Sequence, residues 1–500
     1  MHKFWGASPS PSHSDGEQEQ QQRRRGYLDP DDPAVSPYNL WSVWALRLFS
    51  ILFLIVSILW WLILLCSMFA TPPGFHTRGS GWFSFAYVPL LLWEFLRLLK
   101  AERLILGSTF FFLFVNATII LCAYPLRNGE NWVGIVSVLW ALWVTAWAIM
   151  CDRVVEYGKR EEEQRLTGRC ENRKSLREWC SVFTGSTTSI IFLVIAILFT
   201  INLSICARDA TLPAPGNRYF VDGNKYQVHV FCTGNKTDQH GNKLTTVFLE
   251  AGEDPVEPSF ETWIRESFDS SHGIVKRYCY WDRPGIAWSE NAPSPLSAGM
   301  AVDALSEALR NADESGPWIL VSHGIGGIYS RIFASRHAAE VQGLLLIDTT
   351  PESLLSRVGS PARGFLLWLR GVIYPLGLDR LVSTILLQHS REDRVFGRDA
   401  YQSGGQIKAK LQENLVAKTF TRNEIEAAKA ILPKDTPVVV VSSGHEVKRS
   451  KAWFDGQRAL SMLPQKVLAW DVVDGARHEV WRNDRGRDVL EKRLLQLEKA

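Results

Sequence analysis

The feature that most constrains this chain is a set of long apolar runs without charge, nearly all of which fall before about residue 206. The clearest run, Leu48 to Phe69, would extend about 30 Å as a helix, which matches the hydrocarbon thickness of a bilayer. Leu104 to Tyr124, Asn131 to Met150 and Val182 to Cys206 are comparably long and apolar. Residues 40–206 are therefore predicted to form a helical transmembrane region.

A fifth apolar segment, residues 82–99, contains Glu94 and Arg97. A charge at membrane depth costs roughly 2.5 to 3.5 kcal/mol on insertion scales, so this segment is either a fifth span or a helix at the membrane interface. We prefer five spans, because that number puts the basic N-terminal tail and the basic stretch 152–181 on the same side. The predicted spans cover residues 48–69, 82–99, 104–124, 131–150 and 182–206.

The orientation of the chain follows from the stretch between Asp152 and Ser181, which is rich in Lys and Arg. Short basic loops of this kind stay in the cytosol. One span separates this loop from the rest of the chain, so everything after Cys206 is predicted to be lumenal or extracellular. We expect a multi-pass protein of the endomembrane system, in the endoplasmic reticulum, the vacuole or the plasma membrane, with a cytosolic N-terminus.

The polar segments that flank this region differ in composition. Residues 1–39 are rich in Ser, Pro, Gln and charge and lack the apolar core of a signal peptide, which predicts a disordered cytosolic tail. Residues 207–217 are predicted to be a linker. Over the whole chain 55 basic side chains against 52 acidic ones give a net charge of +3, which does not indicate the basic face of a nucleic-acid-binding protein.

From Arg218 to the end, β-rich runs alternate with helical patterns, which predicts a mainly parallel sheet covered by helices. Runs such as WILVS, LLLID and VVVV are apolar throughout, as in central strands that are buried on both faces. The long, helix-patterned stretch 351–434 is predicted to be a cap or lid. The predicted strands cover residues 226–232, 246–250, 277–281, 318–322, 343–347, 437–441 and 466–471.

Four segments of this domain occur in the order and spacing of the α/β-hydrolase superfamily. They are LEAGEDPVEPSFETW, YCYWDRPGIAWSE, WILVSHGIGGIYSRIFASRH and GLLLIDTTPE. Residues 218–500 thus resemble an α/β-hydrolase, and the whole chain resembles a group of fungal integral membrane proteins that bear such a domain. The resemblance implies an α/β-hydrolase fold with a mainly parallel eight-stranded sheet and a helical cap between strands six and seven.

The nucleophile elbow of this superfamily reads G-x-S-x-G, with the serine on a strained turn after strand five. LVSHGIGG, which begins at Leu320, aligns with it without a gap and places Gly324 at the serine position. Glycine has no atom that could attack a carbonyl, but it adopts the strained turn readily. We expect the shape of the elbow to be kept and the covalent nucleophile to be lost. Ser322, His323 and Ser330 are predicted to be structural.

The resemblance also implies the other two members of a catalytic triad. His478, in GARH after the last strand, stands where the superfamily places its catalytic histidine. The acid is either Asp348, at the end of strand six, or Glu446, after strand seven, and Asp348 is favoured. The structural alternative for Asp348 is a turn or a helix cap after the strand.

The loop after strand three corresponds to the oxyanion loop of the superfamily. Backbone N–H groups of Gly252 and Glu253, together with that of Ile325, are predicted to hold a carbonyl oxygen, although Gly252 is equally a turn residue. Glu253 is an acid beside a site that binds negative charge. This residue therefore counts against ordinary esterase chemistry.

Two features bear on the compartment of the domain. Asn235-Lys236-Thr237 is an acceptor sequence for N-glycosylation, although such sequences also occur by chance. The resemblance places Cys232 and Cys279 on neighbouring strands, where they form a disulfide in an oxidising compartment or stay as two free, buried thiols. Both features favour a lumenal domain.

The lid contains a segment, Phe365 to Gln388, that is apolar at helical spacing but interrupted by charges and a proline. It is predicted to roof an apolar pocket. Packing against the core, binding of an acyl chain and contact with the membrane are the three alternatives for its apolar side chains.

Two functions are considered, and the first is preferred. Gly324 favours a non-catalytic module that binds a lipid or a protein partner. The alternative, favoured by His478 with Asp348, is a weak or unconventional lipase or esterase in which these residues activate water directly or a nucleophile from elsewhere enters the site. A transporter is a weaker third hypothesis, because the spans show no internal repeat. Membrane lipids and a lipid or acyl ligand are the expected partners; no cofactor, metal or nucleic acid is predicted.

Overall fold

The computed structural model describes residues 41–96, 103–167, 176–258, 260–270, 274–463 and 465–500. The predicted tail, residues 1–39, lies outside the described residues. As far as the chain is described, it divides into two compact units. Of the described residues, the first unit takes those within 41–61, 88–114 and 139–196, and the second takes those within 62–87, 115–138 and 197–500.

Within the described residues, five helices precede the sheet. They are α1 (Trp41–Phe69), α2 (Trp82–Leu96), α3 (Arg103–Cys122), α4 (Tyr124–Thr167) and α5 (Leu176–Asp209). In the first unit α1 packs against α4, where the indole N–H groups of Trp140 and Trp147 donate to the hydroxyls of Ser57 and Ser50 at 2.9 and 3.0 Å. Apolar helices satisfy such polar groups inside the protein, away from lipid.

Four segments of the described chain are long and apolar enough to cross a membrane: Val43–Phe69, Ile105–Cys122, Tyr124–Gly158 and Phe183–Asp209. They coincide with four of the five predicted spans. α4 is kinked at Asn131, the residue at which its predicted span begins, and it continues as a helix to Thr167 into the predicted basic loop. The other predicted span, residues 82–99, is helical over the 15 described residues of α2, with Pro89 inside. Its residues 97–99 lie outside the described chain, so the fifth span stays a prediction.

The second half of the chain begins with six strands and three helices. They are β1 (Asn217–Val221), β2 (Tyr226–Gly234), β3 (Thr246–Glu250), α6 (Phe260–Asp269), β4 (Arg277–Asp282), α7 (Ala298–Asn311), β5 (Trp318–His323), α8 (Gly326–Arg336) and β6 (Val341–Ile347). β5 and most of β6 are fully buried, as their continuous apolar sequences predict. β1 was not among the predicted strands.

The predicted lid, residues 351–434, is helical and lies between β6 and β7. It contains α9 (Leu355–Val358), α10 (Pro361–Ile373), α11 (Leu378–Leu381), α12 (Arg391–Val395), α13 (Gly404–Val416) and α14 (Phe420–Ile431), with a π-helical turn at Val382–Leu386 and 3-10 turns at Glu352–Leu354, Tyr374–Leu376 and Ala400–Gln402. α10 starts where Ser360 caps it by accepting the N–H of Arg363, and Pro361 supplies a preset first turn.

The chain then completes the sheet. The remaining elements are β7 (Pro437–Ser443), α15 (Gly444–Arg449), α16 (Lys451–Leu460), β8 (Lys466–Val473), a 3-10 turn at Val480–Arg482 and α17 (Asp484–Glu498). The strand order is β1-β2-β4-β3-β5-β6-β7-β8. β1, β2 and β4 pair antiparallel, and the other pairs are parallel. One face of the sheet packs against α7, α8 and α14, and the other against α6 and α17. This order and layering is the predicted α/β-hydrolase fold.

Candidate functional site

The elbow between β5 and α8 has the conformation that the motif predicts. Gly324 has a φ of +54°, the left-handed region that glycine adopts without strain. A side chain at Gly326 would overlap the backbone of Glu250 and Ala251, and one at Gly327 would overlap Thr349. The small residues after the elbow therefore allow α8 to pack closely against β3 and the end of β6.

The Cβ position of Gly324 opens toward the predicted catalytic histidine. A Cβ built there would lie 3.3 Å from Cα of Gly252 and 3.5 Å from Nε2 of His478. The first distance is tight and the second is ordinary contact. A hydroxyl carried by that Cβ would lie within hydrogen-bond reach of the imidazole.

His478 lies in the turn after β8 and is half-buried. Its Nδ1 donates to Oδ2 of Asp348 at 2.6 Å. Asp348 is fully buried after β6, and its Oδ1 accepts the N–H of Ser443 at 3.0 Å and the indole N–H of Trp453 at 2.8 Å. Three donors thus hold the carboxylate in one orientation, which in turn directs Nε2 of His478 toward the elbow.

The electrostatics of His478 follow from this pairing. Burial lowers its pKa, but the hydrogen bond and the charge of Asp348 outweigh burial, so that the pKa lies above the ordinary value of a histidine. Glu446 adds only its charge. That residue lies in the first turn of α15, where its N–H donates to the hydroxyl of Ser443 at 3.1 Å. Of the two predicted acids, the structure therefore brings Asp348 to the histidine.

His323 packs between His478 and Trp481, with ring centroids 4.2 and 4.7 Å away. Burial, together with the positive charge that His478 can carry, holds its pKa well below the ordinary value. Ser322 and Ser330 are buried, and their hydroxyls have no hydrogen-bond partner within the described chain. All three side chains are buried, and the structural roles predicted for them stay predictions.

Arg283 contacts the loop that is predicted to be the oxyanion loop. The guanidinium donates to the carbonyls of Ala251, at 2.7 Å, and Gly252, and it pairs with Glu250 at 2.9 Å. Because the N–H across a trans peptide points opposite to the carbonyl, the N–H of Glu253 is directed away from Arg283. Neither this N–H nor that of Ile325 donates to another described residue. Both donors are thus available to a bound oxygen.

Glu253 is not an isolated charge in the site. Its carboxylate lies 2.8 Å from Arg363 and 3.5 Å from Lys410, both in the lid. Burial raises the pKa of Glu253, but the two cations outweigh burial and lower it. The negative charge that counted against ester chemistry is therefore balanced by the lid.

The structure adds two residues to the site that sequence patterns did not indicate. Trp453 reaches Asp348 from α16, and the N–H of Thr350 donates to the carbonyl of Gly324 at 2.8 Å. Trp453 lies outside the four recognised segments, and Thr350 lies within GLLLIDTTPE, where no pattern singled it out. Arg283 stands in the segment YCYWDRPGIAWSE, but only the fold shows that its side chain turns back toward β3.

Outside the site, Cys232 and Cys279 face each other on β2 and β4 and form a disulfide. Asn235 follows β2 directly and is exposed. Glycosylation of this residue stays a prediction.

The strand order, the elbow at Gly324 and the His478–Asp348 pair define the class: a membrane protein that carries an α/β-hydrolase-fold domain. An uncharacterised protein of Schizosaccharomyces pombe is 33% identical over 501 residues, which cover 93% of this chain and 92% of that protein. The chain belongs to the family of that protein.

Other comparisons cover parts of the chain. A family model described as a region of unknown function (DUF2417) matches residues 8–232. An uncharacterised vacuolar membrane protein of Saccharomyces cerevisiae is 27% identical over 384 residues, 65% of this chain and 59% of that protein. Among solved structures, the Cif epoxide hydrolase of Acinetobacter nosocomialis aligns with a TM-score of 0.41 and 13% identity over 61% of this chain and 96% of its own. The enol-lactonase of Burkholderia xenovorans aligns with a TM-score of 0.38 and 14% identity over 57% of this chain and 100% of its own.

Proposed function

We propose that this protein is a multi-pass endomembrane protein whose hydrolase-fold domain faces the lumen and acts as a non-catalytic module that binds a lipid or a protein partner. The observation that carries the proposal is Gly324. At this position the elbow, the histidine and the available N–H donors converge on a residue without a side chain. Acyl transfer through a covalent intermediate needs an oxygen or sulfur nucleophile at the elbow.

The lumenal placement is supported by three features. The stretch 152–181 is rich in basic residues, as in cytosolic loops. The Cys232–Cys279 disulfide suits an oxidising compartment. Asn235 is exposed, as a glycosylation acceptor must be. The endomembrane location is supported separately, because the Saccharomyces cerevisiae relative is a vacuolar membrane protein.

The test is hydrolysis of short and long p-nitrophenyl acyl esters by the full-length protein in detergent micelles. The variants are Gly324→Ser, Gly324→Ala as its matched control, His478→Ala, and Gly324→Ser combined with His478→Ala. We expect wild type, Gly324→Ala and His478→Ala all to hydrolyse the esters no faster than the uncatalysed background rate. Gly324→Ser should gain turnover that His478→Ala removes, because the new hydroxyl would meet Nε2 of His478.

A second candidate function rests on the intact His478–Asp348 pair. With Asp348 fixing Nδ1, Nε2 can accept a proton from water in front of the elbow, which would give a weak or unconventional esterase or lipase. Turnover by the wild type that His478→Ala and Asp348→Asn abolish would establish this function and overturn the non-catalytic one.

A further inference from the structure

Part of the lid presents large apolar side chains outward, although the lid belongs to a domain of ordinary polarity. They come from α10 and from the π-helical turn, and Leu386 is 74% exposed. We call them the lid apolar surface: Phe365, Leu366, Ile373, Ile385, Leu386 and Leu387. Exposed apolar groups of this kind mark contact sites for protein or membrane.

The second compact unit shows where this surface lies along a candidate span. The side-chain amide of Asn202 in α5 donates to the carbonyls of Tyr374 and Pro375 at 2.9 and 3.1 Å. Asn202 lies seven residues before Asp209, the end of the span, which corresponds to about 10 Å along the helix axis. The turn that joins α10 to the rest of the surface therefore packs beside the span and does not lie beyond its end.

A second contact attaches the lid to the start of α2. Trp82 is 1% exposed, and its indole N–H donates to the carbonyl of Gly404 at 3.1 Å. Its ring occupies the space in front of Gly371, where any side chain would overlap it. Trp82, which belongs to the apolar N-terminal half, therefore packs against the face of α10 opposite its exposed residues.

The charges near the surface are paired within the second unit. Arg370 lies 3.4 Å from Asp379, and Arg394 binds Asp209 through two hydrogen bonds of 2.9 and 2.7 Å. Arg380, also close to Asp209 at 3.8 Å, is buried. Pairing lowers the cost of bringing charged groups close to lipid.

We infer that the lid apolar surface is inserted into the membrane leaflet in which α5 ends, and that its occupant is the acyl chains of the bilayer lipids. Monotopic surfaces bury apolar side chains about 5 to 10 Å into the boundary between headgroups and acyl chains, which agrees with the level of Asn202. A cavity of about 260 Å³ lies at the same place, lined by apolar side chains that include Leu366, Ile373 and Ile407 and by the charged side chains of Arg370, Asp379 and Arg380. The inference depends on the proposed function in one respect only, namely that a lipid is a partner of this domain.

Site-specific photo-crosslinking in phosphatidylcholine nanodiscs tests this inference on the full-length protein. Leu386 is replaced by benzoylphenylalanine, and lipid adducts are detected by mass spectrometry. The matched control is the same replacement at Gln239, which is exposed just beyond β2. β2 begins beside the α1–α2 loop, because Arg78 in that loop donates a hydrogen bond to the carbonyl of Lys225. The nine residues of β2 then extend about 30 Å, which separates its far end, next to Gln239, from that loop.

We expect a lipid adduct from position 386 and none above background from position 239. Equal lipid yields from both positions would overturn the inference, and so would a crosslinked dimer from position 386 in place of the lipid adduct, because the occupant would then be a second copy of the chain. The readout is separate from ester hydrolysis. If position 386 gives a lipid adduct and the wild type shows His478-dependent turnover, only the non-catalytic proposal is refuted. If the wild type is inert and position 386 gives no adduct, only the contact between the lid and the membrane is refuted.

Discussion

Nδ1 of His478 lies 2.6 Å from Oδ2 of Asp348, and Nε2 of the same ring faces the Cβ position of Gly324. Since burial by itself lowers the pKa of His478 and Asp348 raises it, Asp348→Asn should lower this pKa. The measurement is a pH titration of histidine Cε1 signals by NMR on the full-length protein, with His478→Ala to assign the signal. Glu446→Gln is the control and should shift the signal less. An unchanged titration in Asp348→Asn would contradict the pairing.

A second histidine should make stability depend on pH. His229 lies 2.8 Å from Asp282, both buried; burial lowers its pKa, but Asp282 together with the carbonyl of Pro215 and the charge of Glu257 outweighs burial and raises it. A raised folded-state pKa adds stability that is complete below the unfolded value and is lost as the pH rises through the folded value. The difference in Tm between wild type and His229→Gln should therefore shrink from about pH 5 to about pH 8. A difference that grows with pH would show that the buried ring is neutral.

The exposed acceptor at Asn235 gives a test of topology. Endoglycosidase treatment should increase the electrophoretic mobility of the wild type made in a eukaryotic host, because the lumenal face carries the glycosylation machinery. Asn235→Gln and Thr237→Val should migrate like the treated protein, while Thr237→Ser should behave like wild type. A cytosolic result in protease protection of the domain would reject the lumenal orientation.

The contact between Gly371 and Trp82 predicts a packing defect. Gly371→Ala adds a methyl group where the indole ring lies, and such overpacking costs typically about 1–3 kcal/mol. The expected result is a lower Tm and faster proteolysis within the lid, both partly restored by Trp82→Leu in the double variant. Gly107→Ala is the control, because a Cβ there meets nothing within 4 Å. Equal stability of the two single variants would rule out the contact.

The sequence predicted the central strands and the elbow well because their signals are local. The apolar runs of β5, β6 and β7 are buried on both faces, and the elbow motif is contiguous. β1 was missed because it is a five-residue edge strand with three exposed residues. An edge strand with mostly exposed side chains needs few apolar residues, so its sequence carries little of the pattern by which strands are predicted.

The acid and the charges of the site depended on packing between distant segments. Asp348 and Glu446 both follow parallel strands, and the contact between His478 Nδ1 and Asp348 Oδ2 shows which carboxylate meets the histidine. Donors from Ser443 and Trp453 hold that carboxylate in place. The partners of Glu253 come from lid residues more than a hundred positions away. Side chains brought together in this way carry no local pattern that sequence analysis could detect.

The second compact unit is assembled from three separate stretches, and two of them, Leu62–Tyr87 and Val115–Val138, are synthesised long before the sheet. Trp82, in the first of these stretches, contacts both Gly371 and Gly404 of the lid. A recombinant fragment cut at the predicted linker, residues 207–217, would keep every strand of the sheet and lose these contacts. The limits of the second compact unit lie within the N-terminal helices.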